Sequence, residues 1–205
     1  MPRLSTLAKL YAADCWVVLD DVQFAARDYQ HRARLGALRD PGRQQWLSLP
    51  VHRPRGRASA ITEVCLVDPA ECAHRVEATI GRLYGRSPHF PVLRGVLDQV
   101  RDAFALDDRL TTIAAVSTVA LLRVLGWRGQ VVRASTIPAR SGRSERLADL
   151  AGHLGARVYL CGTGGARYLC QDPFARSGSE SPAGPLTSPT ARCGDTPARS
   201  ARCGR

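Results

Sequence analysis

The chain has 205 residues, 44% of them hydrophobic and 23% charged, the proportions of one ordinary globular domain rather than of a disordered or membrane-embedded chain. Its 29 basic residues against 18 acidic ones give a formal net charge of +11. Lys9 is the only lysine, however, and the arginines are scattered without aromatic interleaving or a reader motif, which speaks against a nucleic-acid partner.

The longest apolar run, residues 113–122, is shorter than a bilayer-spanning segment and carries two hydroxyl residues, so no membrane partner is expected. The N-terminus lacks the charged start, apolar centre and small-residue cleavage site of a secretory leader, and a cytoplasmic location is the expectation. Seven cysteines without a CxxC pair suggest neither a disulfide framework nor a zinc site. Cys15 and Cys161 lie in apolar runs, where a reduced thiol behaves as a small hydrophobe. The five histidines show no HxH or HExxH spacing, so no metal site is expected, and no cofactor is assigned.

In chain order, residues 4–13 place apolar side chains at 4, 7, 8 and 11, a helical spacing, and residues 15–19 read as a short buried strand. The strand stops at Asp20 and Asp21, and residues 22–34 are polar, basic and aromatic, the pattern of a working loop. Residues 46–51 and 61–66 read as two strands joined through a Pro/Arg/Gly turn, a small hairpin. Pro69 opens a helix that runs to Tyr84, Pro88 and Pro91 punctuate another through Phe104, and Asp107 with Asp108 caps a long one ending at Gly126. Residues 130–133 form a strand; Ser141 or Ser144 caps a helix carrying Leu147, Leu150 and Leu154; Gly155 ends it; residues 157–161 form the next strand. Strand, helix, strand implies a parallel βαβ unit. The fold expected is α/β, a mainly parallel sheet flanked by helices with a small β-hairpin insertion. It occupies residues 1–175, and residues 176–205 form a disordered low-complexity tail of Ser, Pro, Gly, Ala, Thr and Arg without a periodic apolar face.

Three segments follow predicted strands, the edge at which open α/β sheets hold ligands. The first carries Asp20, Asp21 and Gln23: adjacent carboxylates can orient an amine or accept from sugar hydroxyls, or simply cap the start of a loop. The second runs from Arg133 and Ser135 through Arg140 to Arg143, Glu145 and Arg146 at a helix start. Guanidinium groups and a helix N-terminus suit a phosphate or carboxylate, with Ser/Gly capping and exposed arginines as the plainer alternative. The third, with Gly162, Gly164, Gly165 and Tyr168, is a glycine-rich turn that permits close backbone approach of a ligand, although it matches neither GxGxxG nor GxxxxGK[ST] and turn geometry alone also explains it.

Residues 12–34 with their LDDVQF core, the WLSLPV run at 46–51, residues 132–135, residues 143–147 and the YLCGTGGARYL run at 159–169 occur together in an order that resembles the WbqC-like family over roughly residues 2–175. The resemblance implies a cytoplasmic group transferase of polysaccharide, O-antigen or specialised-metabolite assembly, acting on a small anionic or nucleotide-activated substrate or transferring an aminoacyl group such as glycine. Carried over residue by residue, it implies catalytic roles at Asp20, Asp21 and Gln23. It implies substrate contacts at Arg27, Tyr29, Gln30, Arg32, Arg133, Ser135, Arg143, Glu145, Arg146, Gly162, Gly164, Gly165 and Tyr168. Two departures stand against the family pattern: its first strand and Gln-Pro-x-Tyr stretch are missing ahead of Pro2, and an incoherent tail follows Phe174. They make a non-catalytic binding module, or an inactive remnant of the family, the alternative expectation.

Overall fold

The computed structural model describes residues 2–40 and 42–176. Helix α1 (Leu4–Tyr11) leads into strand β1 (Cys15–Val18). Leu7 and Leu10 are its buried residues, whereas Leu4 is 84% exposed, so the apolar spacing overstates the face that meets the core. That face packs on Leu122, Trp127 and Trp16, and the Trp127 indole N–H donates to the Ala13 carbonyl at 2.6 Å, a link between chain segments far apart in sequence.

Strand β2 (Arg32–Gly36) pairs antiparallel with β3 (Gln44–Ser48), Arg32 facing Ser48 and Gly36 facing Gln44. The reading of residues 22–34 as loop holds up to His31 and fails after it. Within Arg32-Ala33-Arg34 only Ala33 is buried, so its apolar signal is one methyl group, and the ladder offered by β3 decides the conformation. Strand β4 (Val51–His52) pairs antiparallel with β5 (Cys65–Leu66), so the hairpin expected between 46–51 and 61–66 shrinks to two residues a side, residues 46–48 pairing with β2 instead. The stretch before β5 coils into a 3-10 turn at Ile61–Glu63, where the Glu63 carboxylate accepts from the Ala60 N–H at 2.7 Å and from Arg55.

Helices α2 (Pro69–Tyr84), α3 (Phe90–Leu106) and α4 (Leu110–Val124) then lay their apolar faces together. Asp68 caps α2, accepting from the Glu71 N–H at 2.9 Å, with Pro69 in the first turn where its missing N–H leaves no bond unmade. Asp107 braces the start of α4 from just outside it, accepting from the Arg109 N–H at 2.9 Å and the Thr112 hydroxyl at 2.6 Å. Cys72, Val76, Ile80, Val96, Val100, Phe104, Leu110 and Ile113 join Phe24, Leu47, Val64 and Leu66 in the main core, so the helices and both hairpins bury one common surface.

Strand β6 (Gln130–Arg133) runs parallel to β1, from Cys15 opposite Gln130 to Val18 opposite Arg133. The order continues with a 3-10 turn at Ala134–Thr136, then α5 (Arg143–His153), α6 (Thr163–Ala166) and α7 (Asp172–Arg176). Gly155, at φ +61°, follows α5 and supplies the left-handed step that ends it. The architecture is α/β, with a parallel pair, two small antiparallel pairs and flanking helices. Residues 157–161 do not form the strand expected: Val158 makes a lone bridge and is 46% exposed, and Tyr159 turns instead onto Phe174, ring centroids 5.2 Å apart. An apolar run becomes a strand only where a neighbour's edge takes up its N–H and C=O groups. The low-complexity tail expected from residue 176 lies outside the described residues except for Arg176. Among the described residues no helix is long and apolar enough to cross a membrane.

Candidate functional site

The parallel pairing of β1 and β6 sets the ends of both strands side by side, and two consecutive carboxylates leave β1 in different directions. Asp20 is fully buried. It accepts from the Ser135 N–H at 3.0 Å and the Ser135 hydroxyl at 2.8 Å, and its own carbonyl accepts from the Thr62 N–H at 2.8 Å. Both carboxylate oxygens are thereby engaged, and Asp20 fixes the two strand ends instead of facing a substrate. Asp21 points to α5 and forms an ion pair with Arg146, the two side chains 26% and 18% exposed. Asp21 Oδ1 and Arg146 Nε are buried and have no hydrogen-bond partner among the described residues, so one acceptor and one donor of the pair are unmet there, a costly condition in a protein interior.

The first turn of α5 gathers the rest. Ser144 is buried inside the helix, its hydroxyl accepting from the Cys170 N–H at 3.0 Å, so it ties down the segment after α6 and does not cap. The Arg143 guanidinium lies 5.6 Å from the Tyr168 ring centroid. The Glu145 side chain folds back over the N-cap, where a β-carbon on Gly142 would collide with its carboxylate. That carboxylate stands near the helix start, where an anion would otherwise bind. Arg140 is held by Asp149, Nε to Oδ2 at 2.9 Å and Nη2 to Oδ1 at 2.7 Å, which draws Asp149 down to about 2. Arg133 is exposed and reaches the Thr112 hydroxyl at 3.4 Å.

Gly162 precedes α6, which contains Gly164 and Gly165. At Gly165 a β-carbon would fall 2.7 Å from the Cys161 sulfur, so this glycine is required by the thiol packed against it. Burial raises the Cys161 thiol above its ordinary range, with Lys9 pulling the other way. Cys15 is likewise raised, by burial and then by Asp14. Burial also pushes the Tyr159 phenol to about 12.

The remaining predicted residues form a second group. Gln23 donates to the Arg57 carbonyl at 2.7 Å, and Gln30 accepts from the Ala25 N–H at 2.8 Å. Arg32 donates to the carbonyls of Arg27 and Asp28 and lies over Trp46 at 4.5 Å. Tyr29 sits between Trp46, at 5.3 Å, and the Arg3 guanidinium, at 4.4 Å. Arg27 itself is exposed. No hydrogen bond, ion pair or ring contact among the described residues joins this group to the Asp21 group. Its arginine–aromatic stack shapes the loop.

A family model described as "WbqC-like protein family" matches residues 1–181. The chain belongs to the WbqC-like family. It is also 23% identical over 164 residues to the uncharacterized protein Rv1507c of Mycobacterium tuberculosis (strain ATCC 25618 / H37Rv), a match covering 78% of this chain and 68% of that protein. No solved structure matches the chain at comparable stringency.

In this WbqC-like chain the three predicted segments meet around α5 through Asp20–Ser135, Asp21–Arg146 and Arg143–Tyr168, while the residues between Gln23 and Arg32 stand apart. Among the described residues no three His, Cys, Asp or Glu side chains cluster as a metal ion would require. Sequence reasoning missed the partners that complete the stack, Arg3 and Trp46. An exposed tryptophan in the strand 44–48 is the signal that could have found them, because large exposed aromatics are seldom left uncovered. It also passed over His31, whose Nδ1 is buried without a hydrogen-bond partner among the described residues. Burial, then Arg32 and Arg53, hold that imidazole below its ordinary value.

Proposed function

We propose that this WbqC-like chain is a group transferase of polysaccharide or specialised-metabolite assembly, taking a small anionic or nucleotide-activated substrate, or an aminoacyl donor such as glycine, at the first turn of α5. The observation that carries the reading is the Asp21–Arg146 ion pair, with one buried acceptor and one buried donor unpartnered among the described residues. A substrate that offers a hydroxyl or amine to Asp21 Oδ1 and an oxygen to Arg146 Nε satisfies both at once.

The roles divide by position. Asp21 orients the acceptor's hydroxyl or amine, and Arg146 keeps that carboxylate aimed. Arg143, exposed and without an acidic partner among the described residues, supplies positive charge for a phosphate or carboxylate, with Tyr168 as the surface it lies on. Asp20 positions: held by Ser135, it sets the direction in which Asp21 leaves the strand. Binding of an anion at the helix start also requires Glu145 to swing away from Gly142, which makes Glu145 a gate on the same site.

Mass-spectrometric assays pairing nucleotide sugars and activated amino acids with sugar acceptors test the reading. A transferred product that disappears in Asp21→Asn and Arg143→Ala, with both variants still folded, supports it. Product formation that survives both substitutions removes it. A second reading, a non-catalytic binding module, draws on the internal engagement of Asp20 and Gln23, two of the three side chains the resemblance marks as catalytic. It predicts saturable ligand binding without turnover.

A further inference from the structure

The loop after β1, the β3–β4 turn and α2 border an open cleft of ≈ 360 Å³ that shares no lining residue with the Asp21–Arg146 pair. Phe24 and Leu49 belong to its apolar wall, and its polar lining comes from Ser48, His31, Arg53 and Arg75, with no carboxylate among the lining residues. A concave site of this size in which convergent polar groups stand beside apolar side chains is a usual form of a small-molecule pocket.

The charges in it are poorly balanced. Arg53 is only partly exposed and forms no ion pair or side-chain hydrogen bond among the described residues. Arg75 has a single weak partner, Glu71 at 3.5 Å, with both side chains about half exposed. Two guanidinium groups beside an imidazole, with no carboxylate in the lining, give the cleft a local positive potential.

We propose that this cleft is an oxyanion site that binds a phosphate group, held by Arg53 and Arg75 with the Ser48 hydroxyl as a further donor and His31 at its edge. Guanidinium forks match tetrahedral and planar oxyanions and form short charge-assisted bonds with them. The direction of the His31 shift agrees, since Arg53 is one of the charges that lower it and a bound anion between them reverses that influence. The site shares no residue with the Asp21–Arg146 pair and stands whether or not the transferase reading does.

The experiment is a titration of the full chain with inorganic phosphate, followed by the NMR signals of the His31 ring, against sodium chloride at matched ionic strength. The expected result is a saturable shift with phosphate only, weakened roughly tenfold or more in Arg53→Gln and in Arg75→Gln. It is unchanged in Arg123→Gln, a surface control on α4, and in Arg143→Ala. Arg75 is exposed on α2, so its variant reads the site even if Arg53→Gln impairs folding. A shift that chloride reproduces, or phosphate affinity untouched in the folded arginine variants, overturns the proposal.

Discussion

Asp20 accepts two hydrogen bonds from Ser135, one from its backbone N–H and one from its hydroxyl, across 115 positions of sequence. The carboxylate is fully buried, so this contact clamps the end of β1 to the turn after β6, and everything at the first turn of α5 is built on it.

Breaking the clamp should cost stability. Ser135→Ala is expected to lose about 1–2 kcal/mol, because one charge-assisted bond goes and the backbone bond remains. Asp20→Asn is expected to lose about 1–3 kcal/mol, since the amide oxygen still accepts from the Ser135 N–H but the amide NH2 forces the Ser135 hydroxyl to turn from donor to acceptor, and the charge is lost from both bonds. Urea denaturation at neutral pH measures both; equal midpoints for Asp20→Asn and the unaltered protein would refute the clamp.

The ion pair beside it calls for a double-mutant cycle. Asp21→Asn and Arg146→Met should each destabilise, and the double variant should be less damaging than their sum by about 1–2 kcal/mol, because the side chains are mostly buried and salt screens them poorly. Additive losses would mean that the two charges do not interact.

The contrast between these neighbours marks the limit of what a sequence displays. Asp20 and Asp21 are chemically identical and adjacent. Successive side chains at a strand end point to opposite sides, and only the partner strand, whose register places Ser135 just beyond Arg133, decides which carboxylate is clamped. Local signals did well where the backbone itself demands one residue type, as where Pro69 starts α2 and Gly155 ends α5. They failed where pairing decides. Arg32-Ala33-Arg34 carries almost no apolar pattern yet joins β3, whereas residues 157–161 carry a strong one and form no strand. The meeting of the first two polar segments was readable from their places after strands that form, β1 and β6, whereas the third reaches the same place without the strand at 157–161 expected to carry it. The cleft around His31, Arg53 and Arg75 was not, since its residues come from four separate stretches with no shared motif.

Acid unfolding should carry the signature of Asp149. Its carboxyl lies at about 2, held down chiefly by the Arg140 hydrogen bonds. A lowered folded value contributes stability that is complete above the ordinary carboxylate range and disappears as pH falls from about 4 toward 2. Asp149→Asn should flatten the stability profile across that interval and leave the rest of it parallel; an unchanged slope would mean that the pair is solvated away.

His31 acts in a separate interval. Burial and the nearby Arg32 and Arg53 lower it from 6.5, so the neutral ring is favoured in the folded chain. Its contribution is complete above pH 6.5 and is lost as pH falls below that value through the folded one. His31→Gln should reduce the loss of stability between neutral and mildly acidic pH, measured by thermal melts in buffers of equal ionic strength. A profile identical to that of the unaltered protein would place the imidazole in water.

The most direct test of the account is a thermal-shift titration with a panel of nucleoside diphosphates, the anionic part of activated sugars, comparing the unaltered chain with Arg143→Ala and with Arg140→Ala. Arg143 is free to bind, whereas Arg140 is already held by Asp149. The account predicts that at least one diphosphate raises the melting temperature, that Arg143→Ala diminishes the rise without moving the unliganded melt, the remainder belonging to the Arg53 and Arg75 cleft, and that Arg140→Ala keeps the full rise. A panel without effect, or a rise that persists undiminished in Arg143→Ala, would contradict a shared anion site at the first turn of α5.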